Sequence, residues 1–237
     1  MEINSKVYPN TKGNLIDRTL YQICADCEIV FEEKQDDDTI DILKVQFYTQ
    51  DNPLFFYAKE YIPSIVSSRC AKDVDVSIIR LDKETKCIIY KAIDLKRNLI
   101  TNARSNELLD NIDITHRTLS HLVAQWNDSY TYAKLFQIVY HSYDLQFIPY
   151  VVTRNYSKNE LEQLINTYKK HQEEDIPIRG ILAKKEQIRE LKVNKQIQLL
   201  QMFLEGFVEL HEEFFNYKIL LSEEGQDNQF IYHMNIE

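Results

Sequence analysis

The stretch AKDVDVSIIRLDKETKCIIYKAIDLKR, residues 71–97, decides the fold: two alternating runs are joined by a charged turn. Apolar and polar residues recur at every second position, as they do in strands with two different faces, and the Asp82–Lys86 segment between them predicts a β-hairpin. Alternation puts Asp73, Asp75 and Ser77 on one face of the first strand. It puts Ile88, Tyr90, Ala92, Asp94 and Lys96 on one face of the second, so an acid and a lysine share a face two residues apart. Buried charges persist only when they are paired or bound to a metal. This face is where the sequence points to chemistry.

The charge distribution singles out the same region. The chain of 237 residues has a net charge of −9, which argues against a dedicated nucleic-acid binder, because phosphate binding is driven by basic patches. Residues 69–105 nevertheless hold nine Lys/Arg against five acids, whereas residues 28–41 hold seven acids against Lys34. The hairpin is locally basic in an acidic chain. With 44% hydrophobic residues the chain can bury a sizeable core. The sequence has no apolar run long enough to cross a membrane and its first residues lack a secretory pattern, so a cytoplasmic protein with no membrane partner is expected. Cys24, Cys27, Cys70 and Cys87 lack the two close pairs of a zinc site and read as core cysteines of a reducing compartment.

Either side of the hairpin, spacing predicts a helix over 14–27, strands over 28–33 and 40–48, and a helix over 54–71 carrying Glu60. Residues 105–142 predict two helices broken at Asn127-Asp128-Ser129, and 145–153 a strand that Pro149 assigns to an edge or a bulge. Ser157 and Glu160 form a capping box for a helix over 157–172. A linker is expected at 173–180, then one long helix or two in tandem over 183–216, then a closing hairpin of 218–221 with 230–236. Two regions follow: an α/β core over 1–172 and a helical extension with a small hairpin over 181–237. The architecture expected is α/β (α+β), a central mixed sheet flanked by helices.

The order of elements, with Asp on one strand and Asp94-Leu95-Lys96 on the next, resembles the restriction-endonuclease-like fold of the PD-(D/E)xK nuclease superfamily. The resemblance covers residues 40–155. It implies a metal-dependent endonuclease, with Asp75 (or Asp73), Asp94 and Lys96 as catalytic residues and Asp75, Asp94 and Glu60 around Mg²⁺ or Mn²⁺. It also implies a nucleic-acid substrate, DNA before RNA, tracked by Arg69, Lys72, Lys91, Arg97 and Arg104, and a place in restriction or phage defence. A competing register puts Lys91 in the lysine's position, with Ile89 where the acid should be, and so implies an inactive relative. The physical chemistry runs parallel: two close carboxylates repel, a hard divalent cation stabilises them, and such a cation activates water against a phosphodiester. The rival reading is a non-catalytic assembly subunit, supported by the apolar stretch 199–215 (LLQMFLEGFVELHEEFF), which would dock a partner or a second copy.

Overall fold

The computed structural model describes residues 11–13, 21–23, 25–34, 38–49, 54–58, 74–100, 108–173, 181–223 and 229–236. In chain order they form strands β1 (Thr11–Gly13), β2 (Tyr21–Ile23), β3 (Cys27–Lys34), β4 (Ile40–Phe47), β5 (Leu54–Ala58), β6 (Val76–Asp82) and β7 (Cys87–Asn98). Helix α1 (Leu108–Val139), strand β8 (Asp144–Asn155), and helices α2 (Lys158–Glu173) and α3 (Ile181–Glu205) follow. Strands β9 (Phe207–Leu210), β10 (Glu213–Asn216), β11 (Lys218–Leu221) and β12 (Gln229–Ile236) complete them. The fold is α+β with mixed sheets.

The large sheet has the order β1-β2-β5-β6-β7-β8-β11 and the small one β12-β4-β3. Pairing in the large sheet is antiparallel as far as β7, then parallel from β7 to β8 and from β8 to β11. The parallel step needs a crossover, and α1 supplies it. One face of the large sheet packs on the helices, through Phe55, Ile79, Leu81, Ile88, Tyr90 and Ala92 against Ile112, Leu119, Leu122, Trp126 and Leu164. The other face packs on the small sheet, through Leu54, Val76, Ile78, Ile93, Leu95 and Val152 against Phe31, Leu43, Val45, Phe47 and Tyr232. Even-numbered residues of β7 up to Asp94 thus look toward the helices, and Ile93 and Leu95 toward the small sheet.

The two sheets are pinned by a buried ion pair. Arg154 on β8 donates from Nε and Nη2 to the two carboxylate oxygens of Asp41 on β4, at 2.9 and 3.0 Å. Tyr232 on β12 donates its hydroxyl to the same carboxylate at 3.0 Å, and the Phe230 ring covers the guanidinium at 3.9 Å. Three strands from two sheets therefore converge on Asp41.

The structure bears out the strands at 28–33, 40–48 and 145–153, the hairpin of 71–97 over its described residues 74–97, and the helix at 157–172, where the Glu160 amide donates to Ser157 Oγ at 3.3 Å. Elsewhere it corrects the sequence reading. Tyr21–Ile23 and Leu54–Ala58 are strands, not parts of helices, because both lie inside the large sheet. Leu54 faces one layer and Phe55 the other, so β5 is an unbroken apolar run with no alternation to read. Helix α1 runs through 127–129 without a break, burying Gln125, Trp126, Ser129 and Tyr130 along one side. Strand β8 as a whole is internal, between β7 and β11, but Pro149 immediately precedes the four residues that pair with β11, so among the described residues its own position has a strand neighbour only in β7 and is locally at an edge.

The end of the chain also differs. Helix α3 stops at Glu205, where Gly206 at φ 91° supplies a left-handed C-terminal cap and donates to the Met202 and Phe203 carbonyls. Residues 207–216 are a β-hairpin rather than helix. Strands β11 and β12 are not paired as a closing hairpin: β11 extends the large sheet, β12 runs parallel to β4, and among the described residues a single bridge pairs Glu223 with Ile231 of β12. The last strands of the chain thus belong to both sheets. The linker expected at 173–180 lies outside the described residues apart from Glu173, which ends α2.

Removing one partner of a buried pair strands the other charge. Asp41→Ala is expected to cost about 3–5 kcal/mol in urea unfolding, with Asp41→Leu/Arg154→Met together costing less than Asp41→Ala alone. Equal stability of Asp41→Ala and wild type would show that the pair does not hold the sheets.

Candidate active site

Asp75 immediately precedes β6, and the register of the hairpin, Val76 opposite Ile93, sets it across from Asp94. Both are buried, Asp75 at 3% and Asp94 at 0% exposure. The Leu95 amide donates to Asp75 Oδ2 at 2.7 Å. Gln125 reaches from α1 and donates from Nε2 to Asp94 Oδ1 at 2.9 Å. The other oxygen of Asp94, Oδ2, makes an ion pair with Lys96 Nζ, though without the alignment of a hydrogen bond. The Lys96 side chain is 19% exposed, so solvent reaches the group from its side.

Asp94 titrates abnormally for a stated reason. Burial pushes its carboxyl well above the usual carboxylate range, the neighbouring Asp75 carboxylate pushes the same way, and Lys96 opposes both. Lys96 therefore compensates only part of the cost of two acids in one dry place.

The sequence-predicted residues divide into three sets. Asp75, Asp94 and Lys96 come together as alternation requires. Lys91 does not join them: it is paired with Ile78, whose side chain faces the small sheet, and its ammonium lies 6.0 Å from the Tyr150 ring. The geometry thus puts Lys96, not Lys91, beside the acids. Alternation assigns Arg97 to the face of Lys91; its backbone carbonyl accepts from Thr153 Oγ1 at 3.3 Å. Asp73, Glu60, Arg69, Lys72 and Arg104 lie outside the described residues. Gln125 was missed by the sequence reading. Its signal was a polar residue inside the apolar stripe of Leu122 and Trp126, where only a buried partner would keep it.

The stretch 199–215 loses the feature that suggested a partner. Leu200, Phe203, Val208 and Leu210 are buried in the chain's own core, where Phe203 and Tyr217 stack about Trp126 at 6.2 and 6.0 Å. Phe214 alone of that stretch is a large exposed apolar residue. No helix of the described residues is long and apolar enough to cross a membrane.

The pair of carboxylates fits a hard cation in charge and in donor chemistry, since oxygen ligands suit Mg²⁺ and Mn²⁺ and a cation relieves the repulsion that otherwise drives protonation. Among the described residues no group of three or more His, Cys, Asp or Glu is gathered, so the chain offers two carboxylates, with further positions for solvent or phosphate oxygens. Comparison with protein-family models, with curated proteins and with solved structures found no match.

The raised carboxyl of Asp94 has a sign that can be checked. Its folded pKa lies above the unfolded value of about 3.9, so the folded state binds the proton more tightly. The stability this group contributes is present below that value and lost as pH rises through the folded pKa. Asn cannot titrate. In chelator-treated buffer, Asp94→Asn should therefore gain stability relative to wild type as pH is raised from about 4 upward. A urea-midpoint difference that does not change with pH would contradict the assignment.

Proposed function

We propose that this protein is a metal-dependent endonuclease that hydrolyses phosphodiesters, with DNA preferred to RNA, built on a restriction-endonuclease-like core. The observation that carries the reading is the juxtaposition of Asp75, Asp94 and Lys96 on the helix-facing side of β6 and β7. Asp75 and Asp94 would hold Mg²⁺ or Mn²⁺, which when bound polarises a phosphodiester and acidifies water at neutral pH. Lys96 keeps a cationic charge beside Asp94 and, being partly exposed, can meet the negative charge that develops on phosphate. Gln125 fixes the Asp94 carboxylate by holding Oδ1, leaving Oδ2 turned toward Lys96. The Leu95 amide does the same for Asp75. A role in restriction or phage defence rests on the same reading.

A second reading draws on the complete burial of Asp94. With Gln125 on one oxygen and Lys96 on the other, the group also meets the needs of a structural ion pair in a non-catalytic assembly subunit. Cleavage separates the two. Purified protein with Mg²⁺ or Mn²⁺ should nick or linearise plasmid, and Asp94→Ala and Lys96→Ala should each lose on the order of a hundredfold or more while retaining the wild-type fold by circular dichroism. Equal cleavage by wild type and both variants would remove the nuclease reading. Absence of cleavage of plasmid, single-stranded DNA and RNA alike would favour the second.

A further inference from the structure

Lys91 is left unused by the nuclease reading. It lies on the face of β7 opposite Asp94 and Lys96, turned toward the small sheet. The hairpin register sets Ile78 across from it on β6, and the parallel pairing with β8 sets Ile148 across from it on the other side. Both of its cross-strand neighbours are therefore apolar. With Ile78, Arg80, Ile89 and Ile236, Lys91 lines a half-open cavity of about 50 Å³ where β6 and β7 meet the end of β12.

A half-buried ammonium in such a place ordinarily has a carboxylate beside it. Among the described residues no carboxylate makes an ion pair with Lys91. The charges that act on it have its own sign. Lys218 on β11 brings its ammonium to 5.8 Å from the Tyr150 ring, which Lys91 approaches at 6.0 Å, and Arg80, which has interactions of its own, contributes a second positive charge. Neither cation has to touch a ligand, because each acts through its charge alone. Burial lowers the Lys91 pKa, and Lys218 and then Arg80 lower it further. All three effects favour the neutral amine, whose lone pair is free to react.

A lysine made nucleophilic by an apolar setting and neighbouring cations suits imine formation with carbonyl compounds. We infer that Lys91 Nζ is a nucleophile that captures a small aldehyde in this hollow as a Schiff base. The amine lone pair forms the C–N bond while the carbonyl π pair moves to oxygen. Both amine protons end on that oxygen, which leaves as water, and the C=N bond of the imine closes behind it. The step consumes one aldehyde, releases one water and needs no oxidant or reductant. The volume sets the size of the aldehyde: a single water needs about 10–15 Å³ of such space, so the hollow takes a fragment of about three or four heavy atoms and not an aromatic ring. Its Ile78, Ile89 and Ile236 walls suit an alkyl chain. The site lies on the other face of β7 from Asp94 and does not depend on the proposed cleavage.

The test is reductive trapping. The full chain is incubated at neutral pH with acetaldehyde and cyanoborohydride, which fixes the imine as an N-ethyl group, and the modification rate of each lysine is read by peptide mass spectrometry. Lys91 is expected to react about tenfold or more faster than the exposed Lys158 and Lys218. The preference should disappear in urea, where the hollow is lost, and with benzaldehyde, whose ring the hollow does not admit. Lys91→Arg should abolish the fast-reacting fraction and leave the rates at Lys158 and Lys218 as in wild type. Modification of Lys91 no faster than that of Lys158 and Lys218 in the folded wild type would overturn the proposal, and this outcome needs no variant to fold. So would a preference that survives in urea, or one as strong with benzaldehyde as with acetaldehyde.

Discussion

Strand β7 is covered on both faces, by the helices on one and by the small sheet on the other, yet it carries Lys91, Asp94, Lys96 and Arg97. A strand so placed cannot leave a charge unsolvated and unpartnered. The chain meets that constraint differently on its two sides. Toward the helices Asp94 has Gln125 and Lys96. Toward the small sheet Lys91 lines a half-open hollow and approaches the Tyr150 ring, as Lys218 does. The period of two is what keeps these arrangements apart, because a slip of one residue would exchange the faces of every side chain on the strand.

The small sheet exists to cover one of those faces, and its attachment depends on contacts distant in sequence. Strand β12 is parallel to β4 although almost the whole chain separates them, so no local turn can set their register. Asp41 takes over that task. It binds Arg154 of the large sheet and Tyr232 of β12 with the two oxygens of one carboxylate, and the Arg154 guanidinium is in turn covered by Phe230. A bidentate fork has a fixed orientation, which a purely apolar contact between sheets lacks.

How much of this was legible follows from where each strand lies. β3, β4 and the 71–97 hairpin show their alternation or their turn, and Ser157 with Glu160 marks the start of α2. β5 does not, because Leu54 and Phe55 are buried against different layers and the resulting run fits helix and strand equally. The β9–β10 hairpin is hidden for another reason: its turn residues, His211 and Glu212, have φ of 48° and 66° without being Gly or Asn, so the usual turn signal is missing. Gly206 was a readable stop for α3, but the apolar residues on both sides of it continue a helical reading. In the site, the facing of Asp75, Asp94 and Lys96 was legible from alternation alone. So was the separation of Lys91, an odd position on the opposite face; Gln125 was not, since its reach to Asp94 depends on how α1 packs.

The register of the hairpin has one more consequence. With Val76 opposite Ile93, the next position outward sets Asp75 against Asp94, and like charges directly opposed on an antiparallel pair destabilise it. The surroundings make this worse, because both carboxyls are buried and Lys96 neutralises only one of them. Stability alone would be served as well or better by an apolar pair at these positions, since buried ionic groups can often be replaced by well-packed hydrophobic ones at no loss. Apart from Lys96, the neighbours on that face of β6 and β7 follow the rule that Asp75 and Asp94 break: Ile79, Leu81, Ile88, Tyr90 and Ala92 are apolar, and the hydroxyl of Ser77 accepts from Tyr90 at 3.0 Å. A local violation inside an otherwise consistent sheet is where a functional or strained site is expected. The cation of the proposed function would relieve the repulsion between these two acids.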